Sequence, residues 1–75
     1  MDWHQYISVD PNICHGQACV AGTRIPVSVV LDNLAAGISE AEILRSYSRL
    51  SHDALQACIA YAADVVREEV LALPA

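Results

Sequence analysis

The stretch Gly37 to Leu55, GISEAEILRSYSRLSHDAL, contains two helix starts written in the same grammar, one after the other. In Ser39-Glu40-Ala41-Glu42 the serine hydroxyl is placed to accept from the Glu42 N–H while the Glu42 carboxylate returns to the Ser39 N–H, a capping box. Ile38 and Ile43 flank that cap where a hydrophobic staple puts them, before and four residues into the helix. Ser51 repeats the pattern as an N-cap, with Leu50 and Leu55 as its staple and Asp53 supplying negative charge to the positive helix end. The spacing predicts a short helix over about Glu40 to Tyr47, turning Ile43 and Leu44 inward, followed by a tight turn and a long helix.

Working outward, Leu55, Cys58, Ile59, Ala62, Val65 and Val66 trace an apolar stripe at helical period, and the helix is expected to run to about Leu71, with Pro74 just beyond. Some twenty residues at 1.5 Å each span roughly 30 Å, more than two short helices cover. The last apolar positions, Val65, Val66, Val70 and Leu71, are therefore expected to meet a partner chain. Toward the N-terminus, Val27, Val30, Leu31 and Leu34 mark another helix, with Pro26 in its first turn and Gly37 closing it. Before it, Ile7-Ser8-Val9 alternates like a strand, Asp10-Pro11-Asn12 is a turn signature, and the apolar run Ala18 to Ala21 lies between Gly16 and Gly22.

These elements predict one domain over 1–75, with a strand and turn head over 1–25 and a three-helix body over 26–73. The expected fold is mainly α: a helix-turn-helix bundle, homeodomain-like or winged, carrying a short N-terminal β-hairpin or strand head. Strands this short do not hold themselves in water, and their edges can pair with a second copy. A dimer is accordingly expected.

A chain of 75 residues supports only a modest core, and with four aromatic residues and no phenylalanine that core is built from Ala, Val, Ile and Leu. No apolar run reaches the roughly 18 residues that cross a bilayer, and MDWHQYIS lacks the order of a signal peptide, so a cytoplasmic protein with no membrane association is expected. Three cysteines cannot all pair within one chain, which fits reduced thiols. The net charge of −5 opposes nonspecific attraction to phosphate. The only cations are Arg24, Arg45, Arg49 and Arg67, so a nucleic-acid role requires that some of them cluster.

The segment Ile13 to Val27, ICHGQACVAGTRIPV, holds the densest chemistry. Cys14, His15 and Cys19, with His4 or His52 as a fourth ligand, provide zinc-type donors, yet Cys-His-x-x-x-Cys lacks the paired knuckle of structural zinc sites. Small buried thiols and a turn-edge histidine account for them better. A Cys14–His15 catalytic pair is opposed by geometry, since neighbours on an extended segment face opposite ways. The loop lacks the glycine and lysine spacing of a phosphate loop, and no acid joins a histidine in a hydrolytic pattern. The reading is therefore non-enzymatic, with no catalytic residue, metal or cofactor.

The series Ile7-x-x-Asp10-Pro11, Ile13-Cys14-x-Gly16, Gly22-Thr23-Arg24-Ile25-Pro26-Val27, Leu34-Ala35-Ala36-Gly37, Ser39-x-x-Glu42-Ile43-Leu44, Tyr47, Leu50 and Ala60-Tyr61-Ala62 resembles the domain-of-unknown-function family 433, across about residues 5 to 66. The resemblance implies a dimerising helix-turn-helix or winged protein, similar to VapB-type antitoxins that accompany a PIN-like ribonuclease toxin. Two departures stand out. Gly16-Gln17-Ala18 replaces the family's Gly-Lys-Pro, and Ser48-Arg49 follows the tyrosine where proline is usual.

The resulting expectation is an antitoxin-like regulator of a type II toxin-antitoxin pair, a homodimer that inhibits a PIN-like toxin. Arg45, Arg49 and Ser51 are the candidate contacts to duplex DNA, at an operator. Arg24, Val65, Val66, Arg67, Val70 and Leu71 are the candidates for the partner protein, with Arg24 or Arg67 competing for the toxin's acidic metal site. For Arg24 a structural role is equally open, bridging to Asp10 or another acid and pinning the head to the bundle. The competing expectation is a dimeric interaction or assembly module that never touches nucleic acid.

Overall fold

Two short strands precede three helices in the computed structural model, which describes residues 1–70 and side chains as far as Arg67. A 3-10 turn at Trp3–Gln5 leads into β1 (Ile7–Val9); a second at Cys14–Gly16 leads into β2 (Ala18–Val20); then come α1 (Val27–Ala35), α2 (Glu40–Ser46) and α3 (His52–Val70). β1 and β2 pair antiparallel, with Ile7 opposite Val20 and Val9 opposite Ala18. The expected mainly helical architecture with an N-terminal strand pair is thus present. Leu71, the last of the residues expected to meet a partner, lies outside the described residues, as do the side chain of Val70 and the expected helix end before Pro74.

Both helix starts carry their serine caps where the spacing predicts them, but the reciprocal bond of the capping box, from the Ser39 N–H to the Glu42 carboxylate, is absent among the described residues. The Glu42 N–H donates to Ser39 Oγ at 3.2 Å, and the Ala54 N–H donates to Ser51 Oγ at 3.0 Å. Ile43, Leu50 and Leu55 are buried and Ile38 packs against the same cluster, so each staple ties a helix start to the core. At the end of α1 the Ile38 N–H reaches the Asn33 carbonyl and the Gly37 N–H the Leu34 carbonyl, both at 3.0 Å. This is a Schellman closure, and it requires the left-handed φ of +83° at Gly37.

Pro26 departs by one residue from its expected place. It sits at the N-cap rather than inside the first turn, with ψ of 143°, because a bridge to Cys19 holds it extended. A proline φ of −65° suits either position. The core joins Ile7 and Val20 from the strands, Val27 and Val30 from α1, Ile43 from α2, and Leu55, Ala57 and Cys58 from α3. The head is therefore part of the core and not an appendage.

The N-terminus is fastened at a second point. Trp3 packs edge-on against Tyr61 of α3 at 4.8 Å, and its indole N–H donates to Asp64 at 2.6 Å. From this contact onward Asp64 through Arg67 are exposed. Among the described residues, no helix is long and apolar enough to cross a membrane.

Candidate functional site

Arg24 owes its position to a tight turn between β2 and α1. The Val20 N–H donates to the Ile25 carbonyl at 2.9 Å, closing a loop over Ala21 to Arg24. Inside that loop the Thr23 hydroxyl donates to the Val20 carbonyl at 2.8 Å and accepts from the Ile25 N–H at 3.0 Å. Gly22 takes the left-handed φ of +77° that the turn needs. Thr23 is thus a turn hydroxyl with both sides engaged, and Arg24 stands exposed at the tip.

Arg49 arrives from the opposite side of the molecule's sequence. The C-terminal carbonyls of α2 are closed by the Tyr47 N–H on Ile43 at 2.9 Å, and the Leu50 N–H then returns to the Tyr47 carbonyl at 2.9 Å. This turn buries Leu50 and leaves Arg49 exposed. Ser8, Ile13, Gly22, Thr23, Arg24 and Arg49 line a single cavity of about 540 Å³. Two of the chain's four cations therefore share one hollow, in a protein whose net charge is −5.

Neither arginine is neutralised in place. Among the described residues the ion pairs are His4–Asp2, His52–Glu40 and Arg67–Asp64, so Arg24 does not bridge to Asp10. The Asp10 carboxylate instead accepts from the Asn12 N–H at 2.8 Å, holding the turn after β1. Two arginines without a carboxylate partner among the described residues thus line one concavity, an arrangement whose chemistry can hold a compact anionic group, carboxylate or phosphate.

The other sequence-derived residues lie elsewhere. Arg45 is exposed in the last turn of α2 and is not part of the cavity wall, while Ser51 is occupied as the cap of α3. Val65 and Val66 are exposed on the uncovered part of α3. Arg67 is tied to Asp64, whose carboxyl is held below its ordinary value first by the Trp3 hydrogen bond and also by Arg67 itself. Of the two arginines considered for a toxin's acidic site, Arg24 is the one left available.

At the opposite end of α2, His52 meets Glu40, whose carboxylate raises the histidine's pKa. Asp53 is exposed beside it, and Glu42 is exposed in the first turn of α2. The α2–α3 entrance thus presents acids as well as arginines. A second cavity, of about 320 Å³, is lined by Gln17, Ala18, Val27, Ser28, Leu31 and Tyr61, mostly apolar and none of them charged.

The sulfur residues do not converge on a metal: among the described residues no three His, Cys, Asp or Glu side chains form a cluster. Cys14 and His15 are not on an extended segment, as the spacing suggested, but in a left-handed turn with φ of 53° and 56°. Cys14 Sγ donates to the Arg24 carbonyl at 3.4 Å and Cys19 Sγ to the Thr23 carbonyl at 3.7 Å, so both thiols lie behind the cavity wall. Burial, then the neighbouring Cys19 thiol, push Cys14 above the ordinary thiol range, partly offset by the Arg24 cation. Burial takes Cys58 to about 11.

The sequence model of a family described as protein of unknown function (DUF433) matches residues 7–62. A crystal structure of a DUF433 member protein from Anabaena variabilis ATCC 29413 is similar, with a TM-score of 0.78 and 30% identity, over 84% of this chain. The present chain spans 62% of that protein's length. Among curated proteins none matches.

Proposed function

We propose that this chain, which belongs to the DUF433 family, is a non-catalytic antitoxin-like regulator that binds and inhibits a PIN-like ribonuclease in the cytoplasm. The carrying observation is the cavity shared by Arg24 and Arg49, two guanidiniums without a carboxylate partner among the described residues. A metal-dependent nuclease of that kind gathers several carboxylates around its ion, and a pair of bidentate cations is a natural competitor for them. Inhibition of this type requires occupancy only. The protein acts as a homodimer, with the open strand edges and the exposed Val65 and Val66 of α3 as its association surfaces.

A second role, at operator DNA, is supported by the α2–turn–α3 succession, which we read as a homeodomain-like or winged helix-turn-helix with Arg45 and Arg49 at the turn. Net acidity, together with Asp53 exposed in the first turn of α3, makes this role secondary and dependent on the toxin complex.

The test is co-expression with the product of the adjacent reading frame, followed by co-purification and a ribonuclease assay. The expected outcome is a stable complex, with inhibition lost in the Arg24→Gln, Arg49→Gln double variant and retained in Arg67→Gln. Equal inhibition by the double variant would remove the cavity from the mechanism. A neighbour without clustered acids, or no inhibition by the unaltered chain, would leave the assembly-module reading in its place.

A further inference from the structure

We infer that Cys14 and Cys19 form a dithiol modification site, converted to an intramolecular disulfide by low-molecular-weight disulfides, and that this conversion alters the loop presenting Arg24. Three of the six residues lining the arginine cavity touch these thiols. The Arg24 carbonyl accepts from Cys14 Sγ at 3.4 Å, the Thr23 carbonyl accepts from Cys19 Sγ at 3.7 Å, and Ser8 Oγ lies 3.9 Å from Cys19 Sγ. The two acceptors are consecutive residues, so the sulfurs are directed at adjacent points of one turn.

The surroundings give the two thiols different parts. Cys14 is half-buried and open to a small reagent, whereas Cys19 is 1% exposed and can react only with a group already delivered to Cys14. The left-handed backbone at Cys14 and His15, a conformation that side chains bearing a Cβ rarely adopt, folds this segment back toward β2. Cys58, wholly buried on α3, stays out of reach. With only two thiols converging and no third ligand among the described residues, disulfide chemistry suits the site better than metal binding.

The reaction balances with glutathione disulfide as oxidant. Cys14 gives its proton to water, and the minor thiolate fraction so formed attacks one of the oxidant's sulfurs, forming a mixed disulfide; one glutathione leaves with the electron pair of the broken S–S bond and takes a proton from water. Cys19 gives its proton to water and attacks the Cys14 sulfur, and the second glutathione leaves in the same way. Two electrons and two protons pass from the protein dithiol to the small disulfide. The product has no S–H, so the Thr23 and Arg24 carbonyls both lose a donor and Arg24 shifts, while the bonds of the Thr23 hydroxyl and the Val20 N–H still close the turn.

The effect on partner binding rests on the function proposed above, but the chemistry needs no partner to observe. The full chain is incubated with glutathione disulfide, weighed and peptide-mapped by mass spectrometry, and followed by NMR on the arginine Nε–H signals. Expected are the loss of two hydrogen masses, a Cys14–Cys19 cross-linked peptide, unmodified Cys58, and a displaced Arg24 signal with Arg45 unchanged. Cys19→Ser should stop at a mixed disulfide on Cys14 and Cys14→Ser should not react, each keeping a hydroxyl donor where the thiol was. Glutathione retained on Cys14 of the unaltered chain, a cross-link to Cys58, or an unmoved Arg24 signal in the oxidised protein would overturn the inference. A failed nuclease assay would leave a positive result here standing.

Discussion

Replacing Arg24 and Arg49 by glutamine separates a binding role from a structural one, because the two roles predict stability changes of different size. The residues line one cavity of about 540 Å³. Two like charges about 10 Å apart repel in water by ~0.4 kcal/mol, and physiological salt reduces this further. Removing either charge should therefore leave stability unchanged within about 0.5 kcal/mol, or raise it slightly. If Arg24 instead anchored the head through a carboxylate, its loss would cost ~1.5–3 kcal/mol, the range for hydrogen bonds to charged groups. Urea denaturation followed by circular dichroism distinguishes these cases. With a slope of ~1 kcal/mol per molar, the midpoint moves by less than about 0.5 M in the first case and by more than about 1.5 M in the second. In the same variants, affinity for the proposed nuclease partner should fall about 10- to 100-fold for each arginine, the equivalent of one lost charged contact. A large midpoint shift with unaltered affinity would refute the assignment of Arg24 to binding.

Three further outcomes test the fold. Because Glu40 raises the folded-state pKa of His52, the pair's stabilisation should be complete below the ordinary histidine value of 6.5 and be lost as pH rises through the raised value; Glu40→Gln should flatten thermal stability across that window. Ile43 is 1% exposed, so Ile43→Ala should cost ~2–5 kcal/mol and Ile43→Val about 1 kcal/mol by chemical denaturation. Gly37→Ala should cost on the order of 1 kcal/mol through the left-handed φ of +83° alone, since a Cβ there meets nothing within 4 Å; a neutral result would mean the Schellman turn relaxes.

What could be read before folding follows the range of the interactions. The caps at Ser39 and Ser51 and the Gly37 closure join residues three to five apart, so side-chain type and spacing suffice to name them. The strand pair was legible from the turn at Asp10 and the apolar run after Gly16. The Arg24–Arg49 meeting was not, because it depends on how the β2–α1 turn packs beside the α2–α3 turn, which no local pattern encodes. Trp3 was missed for the same reason: its partner Asp64 is 61 residues away. Cys14 and His15 carry no signal of a left-handed backbone, a conformation their side chains disfavour, and only Gly16 beside them hints at it. Pro26 was misplaced by one residue because its fixed φ suits both the cap and the first turn.

The seating of Trp3 on α3 has a practical corollary. It is the chain's single tryptophan, and it rests edge-on against Tyr61 with its indole bound to a carboxylate. The molecule therefore carries its one tryptophan fluorophore at the junction between its first residues and α3. Its emission will respond when the N-terminal end lifts from α3, before the helices melt, and a fusion tag placed next to Met1 will disturb the same junction.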